Sequence, residues 1–161
     1  MLNNYKNVAL VSDFDGTITK KDFFYYAIDN VLKKDDIKPW NSYLSGEITH
    51  VEALDRIFSK IRLETQEFHR FILNLSLESC FLETVYHCKE NKIDLYIVSA
   101  GADYYINYIL KHLNIENLVT VVCNKSKYSP DDGLRIIKST KNDPFYSYNY
   151  GISKKQVMQS I

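Results

Sequence analysis

Val8-Ala9-Leu10-Val11-Ser12-Asp13-Phe14-Asp15-Gly16-Thr17 sets a short apolar run directly before an acidic loop. A continuous, β-branched-rich run of that length reads as a parallel strand buried on both faces. A carboxylate at the carboxyl end of such a strand, here Asp13, sits in the crevice where open α/β sheets bind ligands. Asp15 can approach the same ligand if the loop turns sharply, and Gly16 permits the backbone conformation that turn requires.

Working outward, Leu95-Tyr96-Ile97-Val98 is a second strand that enters Ser99-Ala100-Gly101, after which Tyr105, Ile106, Ile109, Leu110 and Leu113 recur at helical spacing. A third strand is expected at 118–123. Strands alternating with helices build a parallel sheet with covered faces. Between the first two strands, the sequence reads almost entirely as helix. Thr49 with Glu52 forms a capping box ahead of an apolar face of Leu54, Ile57, Phe58 and Ile61. Further helices are expected at 22–32, around 66–75 and at 79–90, with Pro39 and Gly46 marking turns. The expected fold is α/β: a Rossmann-like parallel core of residues 1–19 and 92–161, with an inserted helical cap over 20–91. The cluster Phe23-Phe24-Tyr25-Tyr26 is read first as packing between helices and second as a pocket lining. Pro130-Asp131-Asp132-Gly133 reads as a turn, 146–150 as an aromatic loop or edge strand, and a last helix begins at Ser153.

The 161 residues are 45% hydrophobic, enough to bury a proper core. Twenty basic and twenty acidic residues cancel, so no global field draws the chain to nucleic acid or to an anionic membrane. No apolar run approaches the roughly 20 residues that span a bilayer. Residues 1–7 lack the basic-then-apolar pattern of a secretory signal, which makes the cytoplasm the expected compartment. Cys80, Cys88 and Cys123 form neither a disulfide framework nor a paired-cysteine zinc signature, and read as buried thiols.

Two carboxylates in one loop suit phosphoryl transfer. One attacks phosphorus and forms an aspartyl-phosphate, while the other protonates the leaving oxygen and later activates water. Magnesium, which prefers carboxylate, carbonyl and water ligands, would shield the nucleophile from the phosphate. A calcium loop is disfavoured, because Gly16 comes fourth rather than sixth and no glutamate lies at the required distance. An ordinary Asp-Gly turn is the main competing reading of the bare motif.

The longer string Asp13-Phe14-Asp15-Gly16-Thr17-Ile18-Thr19 resembles the first motif of the haloacid dehalogenase superfamily of phosphatases. Val98-Ser99-Ala100-Gly101 resembles its second motif, and the surroundings of Lys154 in Gly151-Ile152-Ser153-Lys154-Lys155-Gln156-Val157 resemble its third. The helical insert is similar to the cap of the phosphoserine phosphatase branch, and the wording of the motifs to methionine-salvage ketoenol-phosphate phosphatases. The resemblance implies a magnesium-dependent phosphomonoesterase acting on a small phosphorylated metabolite. It makes Asp13 the nucleophile and Asp15 the acid and base, with both at the metal. Thr17, Ser99, Ala100, Gly101 and Lys154 would hold the phosphate. Lys155 is the alternative lysine, because adjacent residues at a helix start project in different directions.

The family's fourth motif, an acidic pair that supplies further metal ligands, is missing after Lys154, so the chain reads as truncated at its C-terminus. Asp131-Asp132 precedes the lysine and lies in a turn, making it a poor substitute. A lost strand would expose a sheet edge that a homo-oligomer could cover. Two other functions stay open: a weakly active or inactive phosphate-binding module, and a phosphotransferase or phosphomutase passing the phosphoryl group to an acceptor other than water.

Overall fold

A computed structural model describes residues 8–161; the reading of 1–7 as lacking a signal lies outside the described residues. Three parallel strands, β1 (Ala9–Ser12), β2 (Asp94–Ala102) and β3 (Thr120–Asn124), form the central sheet in the order β1-β2-β3. Leu10 faces Leu95 and Val11 faces Tyr96 across the first pair, and Ile97 faces Val121 across the second. The α/β class read from the sequence is the observed one. Among the described residues β1 has a strand on one side only, and Leu10 is 40% exposed beside that open edge.

Among the described residues seven helices accompany the sheet: α1 (Phe23–Asn30), α2 (Lys38–Leu44), α3 (His50–Phe58), α4 (Thr65–Leu73), α5 (Phe81–Glu90), α6 (Asp103–His112) and α7 (Lys154–Ser160). Thr49 caps α3 by accepting a hydrogen bond from the Glu52 backbone N–H at 3.3 Å. The Glu52 carboxylate turns instead to Arg56, one helical turn on, so the expected capping box is half made. A complete box occurs at α4, between Glu64 and Glu67. The turn expected around Pro39 is helical: Pro39 sits in the first turn of α2, where its missing N–H costs no intrahelical bond.

Beyond β3 the chain forms two antiparallel hairpins, β4 (Ser126–Ser129) with β5 (Gly133–Ile136), and β6 (Tyr146–Ser147) with β7 (Gly151–Ile152). Pro130-Asp131-Asp132 does form the first turn, closed by Gly133 at φ +69° with its Cα against the Ser59 backbone. The β4–β5 hairpin is tied to α3 by Arg135, whose guanidinium donates to both oxygens of Asp55 at 2.9 and 2.7 Å, while the Ile136 N–H also donates to Asp55.

One continuous apolar core joins the sheet to the helices, running from Ile97, Ile106 and Leu110 through Phe14 and Phe23 to Ile57, Phe58 and Phe68. Phe23 stacks on Tyr105 at 4.1 Å and meets Phe58 edge-on at 5.4 Å. The face of α1 that carries Phe23 and Phe24 is thus fixed by packing, as its sequence suggests, and Phe24 also reaches the site described below. Helix α5 lies against β2, whereas α1 to α3 stand over the carboxyl ends of the strands. Of the cysteines, Cys88 is buried and Cys123 half-buried, but Cys80 is exposed, contrary to the expected burial, because it stands just ahead of α5 on its solvent side. Among the described residues no helix is long and apolar enough to cross a membrane.

Candidate active site

A cavity of about 300 Å³ opens above the carboxyl ends of β1 and β2. Its floor carries Asp13, Asp15, Ser99, Ala100, Gly101 and Lys154, and its walls are Asp22, Phe24, Tyr25, Trp40, His50, Leu54, Phe58 and Tyr105. Asp13 leaves β1 with its Oδ1 accepting the Phe14 N–H at 2.8 Å, which turns Oδ2 toward Lys154. The Lys154 ammonium donates to that oxygen at 2.6 Å across 141 residues of chain. Ser153 aims the lysine by capping α7, its hydroxyl accepting the Gln156 N–H. Lys155 is exposed and does not line this cavity.

Asp15 is set more deeply. Its Oδ2 accepts from the Tyr105 hydroxyl at 2.6 Å and from Ser99 Oγ at 3.2 Å, and its Oδ1 accepts from the Phe23 N–H. Burial pushes the Asp15 carboxyl up to about 6; the Tyr105 hydrogen bond pulls it down, and the charge of Asp22 pushes it up again. A carboxylic acid poised near neutrality can both give and take a proton. Asp22 caps α1 by accepting the Phe24 N–H at 2.8 Å, and burial raises its own pKa, with the Asp13 charge adding to the rise.

The segment expected to turn at Ser99-Ala100-Gly101 remains extended to Ala102 and enters α6 directly, with the register against β3 shifting between Val98 and Ala102. That irregularity carries the motif over the cavity floor. The Ser99 hydroxyl accepts the Gly101 N–H at 2.9 Å and donates to Asp15, so both its hydrogen-bonding roles are already engaged. Gly101 is fixed by space: a Cβ there would lie 2.0 Å from the Tyr105 hydroxyl and 2.6 Å from Asp15 Oδ2.

Thr17 is the one expected site residue not brought to this cavity. Phe14 C=O accepts the N–H groups of Thr17, Ile18 and Thr19, and this tight curl, with Gly16 at φ +70°, turns Thr17 outward to solvent beside the β1 edge. Thr19 turns inward instead, buried, accepting the Gly16 N–H and donating to Phe14 C=O.

Asp13 and the Asp15 backbone carbonyl are oxygen donors of the kind magnesium takes. They fit in kind but are few, since among the described residues no group of three or more acidic, His or Cys side chains converges on one point. Asp131 and Asp132 are remote from the cavity, in the β4–β5 turn.

The profile of the haloacid dehalogenase-like hydrolases matches residues 10–142, most of the chain. The chain belongs to this family. A relative from Brevibacillus brevis, a 2-hydroxy-3-keto-5-methylthiopentenyl-1-phosphate phosphatase, is 30% identical over 132 residues, covering 77% of this chain and 56% of the relative. One of the same name from Bacillus pumilus is 28% identical, covering 76% and 53%. This member of the family spans about half the length of the curated relatives it matches. Among solved structures, a hydrolase of the family from Salmonella enterica serovar Typhi superposes with a TM-score of 0.66 at 14% identity, covering 93% of this chain and 49% of the other. A phosphoserine phosphohydrolase-like protein from Francisella tularensis gives 0.59 at 18%, covering 96% and 74%. Both have the fold seen here.

Several cavity residues escape a reading of motifs, among them Tyr105, Trp40 and His50. Tyr105 sits in an apolar stripe at helical spacing and looks like core, which it also is, at 1% exposure. No local pattern marks its hydroxyl. Trp40 and His50 come from helices whose orientation over the sheet no short-range signal fixes.

Proposed function

We propose that the protein is a phosphomonoesterase acting on a small phosphorylated metabolite through an aspartyl-phosphate. The observation that carries this reading is the meeting of Asp13 and Lys154 at 2.6 Å, with Asp15 held by Tyr105 and Ser99 on the floor of the same cavity. Asp13 attacks phosphorus as the ester P–O bond breaks. Asp15, protonated, gives its proton to the departing oxygen, and as carboxylate it then takes one from the water that hydrolyses the acyl phosphate. Lys154 offsets the negative charge that nucleophile and phosphate would otherwise place side by side. Ser99 and the Ala100-Gly101 backbone lie where they border the phosphate. Magnesium, held by Asp13 and the Asp15 carbonyl, would supply further charge neutralisation when bound.

Among the described residues Lys154 is the one lysine or arginine on the cavity lining, and Asp13 already pairs with it. A second anionic group on the substrate would therefore find no cation, whereas an uncharged organic part would find Phe24, Trp40, Leu54 and Phe58. The relatives named for a keto- and methylthio-bearing phosphate support a substrate of this uncharged kind. The sparse metal donors favour a second reading, a phosphate-binding module with little turnover. Release of inorganic phosphate from phenyl phosphate, with and without magnesium and with Asp13→Asn as control, decides between them. Turnover that needs both Asp13 and the metal is expected; phosphate affinity without turnover would support the second reading.

A further inference from the structure

His50 is the first residue of α3, and its backbone N–H and that of Val51 donate to the side chain and backbone carbonyls of Asn149, clamping the helix start onto the β6–β7 connection. Its ring stands among aromatic rings, 5.7 Å from Trp40, 5.3 Å from Tyr43 and 5.1 Å from Tyr150. Buried side-chain polar atoms normally have a hydrogen-bond partner. Here Nδ1 is buried with no hydrogen-bond partner, alone among buried side-chain polar atoms of the described residues. An unpaired buried N–H costs more than an unpaired lone pair can, which favours the tautomer with the proton on Nε2. Burial, and next the nearby Lys154 charge, lower the His50 pKa and so favour the neutral ring. The ring also lines the cavity that holds Asp13, Ser99 and Lys154. Those groups border the phosphate from the sheet side, whereas α3 approaches from the opposite wall.

We infer that His50 is a specificity residue whose Nε2–H hydrogen-bonds an uncharged oxygen, a carbonyl or hydroxyl, on the carbon framework next to the phosphoester. The inference rests on the phosphomonoesterase reading and narrows it to phosphates that carry such an oxygen and no second anion. A bare hydrocarbon ester would offer Nε2–H no acceptor.

The test measures binding in an Asp13→Asn background, which cannot turn substrate over, using dihydroxyacetone phosphate, propyl phosphate and inorganic phosphate as probes. Adding His50→Phe should weaken dihydroxyacetone phosphate about tenfold, the usual worth of one hydrogen bond inside a pocket. Propyl phosphate and inorganic phosphate should stay within about twofold, and His50→Gln, which keeps a donor, should restore part of the loss. Melting temperatures should stay at or above that of the parent, because His50→Phe removes an orphaned nitrogen and keeps an aromatic ring. Equal weakening of all three probes would make His50 a phosphate ligand and overturn the inference. No change for any probe, or a fall in melting temperature with both substitutions, would overturn it too by making the ring structural. Failure of the Asp13→Asn parent to bind any of the three would instead sink the phosphomonoesterase reading, and this inference with it.

Discussion

The two faces of the cavity are built on different plans. The floor is assembled from strand ends: Asp13 and Asp15 leave β1, Ser99 and Gly101 lie on the last residues of β2, and Lys154 opens α7. Its charged groups, Asp13, Asp15 and Lys154, are each held by a partner at a named distance, as is the Ser99 hydroxyl. The facing wall is assembled from helices: Phe24 of α1, Trp40 of α2, and His50, Leu54 and Phe58 of α3. Asp22, which caps α1, is the charged exception; the other groups are apolar or neutral, and the rings hold one another by contacts such as Phe24 on Trp40 at 4.5 Å. A rigid charged floor can serve one chemistry for many substrates, while the wall selects among them.

If that division is right, the largest effects must come from the floor. Asp13→Asn is expected to lower phenyl phosphate turnover on the order of a thousandfold or more, with an unchanged melting temperature, since the amide keeps the shape but is a poor nucleophile. Residual turnover near wild type would remove Asp13 from its role and the floor from its primacy.

Tyr105→Phe should come next, and its signature is the pH profile. The Tyr105 hydroxyl stabilises the Asp15 carboxylate, so its loss moves the Asp15 pKa upward from about 6. The limb of the rate profile that needs Asp15 ionised, the hydrolysis of the aspartyl-phosphate, then shifts to higher pH. The same group predicts a stability trend in the metal-free protein. Because its folded pKa lies above the ordinary value of 3.8, the folded state binds the extra proton, and stability falls as pH rises from about 4 through about 6. Asp15→Asn should flatten that fall in thermal melts, and a melting curve that rises over this window would contradict it.

Lys154→Ala is expected to weaken inorganic phosphate binding about tenfold, against a change within about twofold for Lys155→Ala, measured by titration calorimetry. Lys154 meets Asp13, whereas the exposed Lys155 does not line the cavity that holds Asp13. The opposite order would mean that α7 is rotated from the arrangement described.

The floor was largely legible in the sequence and the wall was not, for a physical reason. Asp13 to Gly16 and Ser99 to Gly101 each occupy one short stretch at a strand end, where chain geometry alone brings them to one crevice. Thr17 shows the limit of that legibility: it belongs to the same string, yet the curl onto Phe14 C=O turns it outward and turns Thr19 inward. The sequence marks Phe24 for packing first and lining second, and it does both. His50 and Trp40 are separated from the acidic loop by helices whose placement depends on burying Ile57, Phe58 and Phe23 against one another, a long-range outcome with no local signature. Tyr105 enters the site through its hydroxyl, whereas its spacing marks only a hydrophobic position.

The smallest effect tests the wall, and it must be selective to count. Trp40 bears on the cavity through one face while Phe24, Tyr43 and His50 pack around it. Trp40→Ala should therefore remove apolar contact from the organic part of a substrate without moving Asp13, Asp15 or Lys154. An apolar contact of this size is worth on the order of 1–2 kcal/mol, so kcat/KM for a phosphate ester with a five- or six-carbon chain should drop about tenfold. Methyl phosphate does not reach the wall and should lose about twofold at most. The loss should sit in KM if the wall holds the ground state and transition state alike, and in kcat if it presses the ester toward Asp13. Equal losses for the long and short esters would show that Trp40 supports the floor, and that the charged and apolar faces of this cavity are one structural unit.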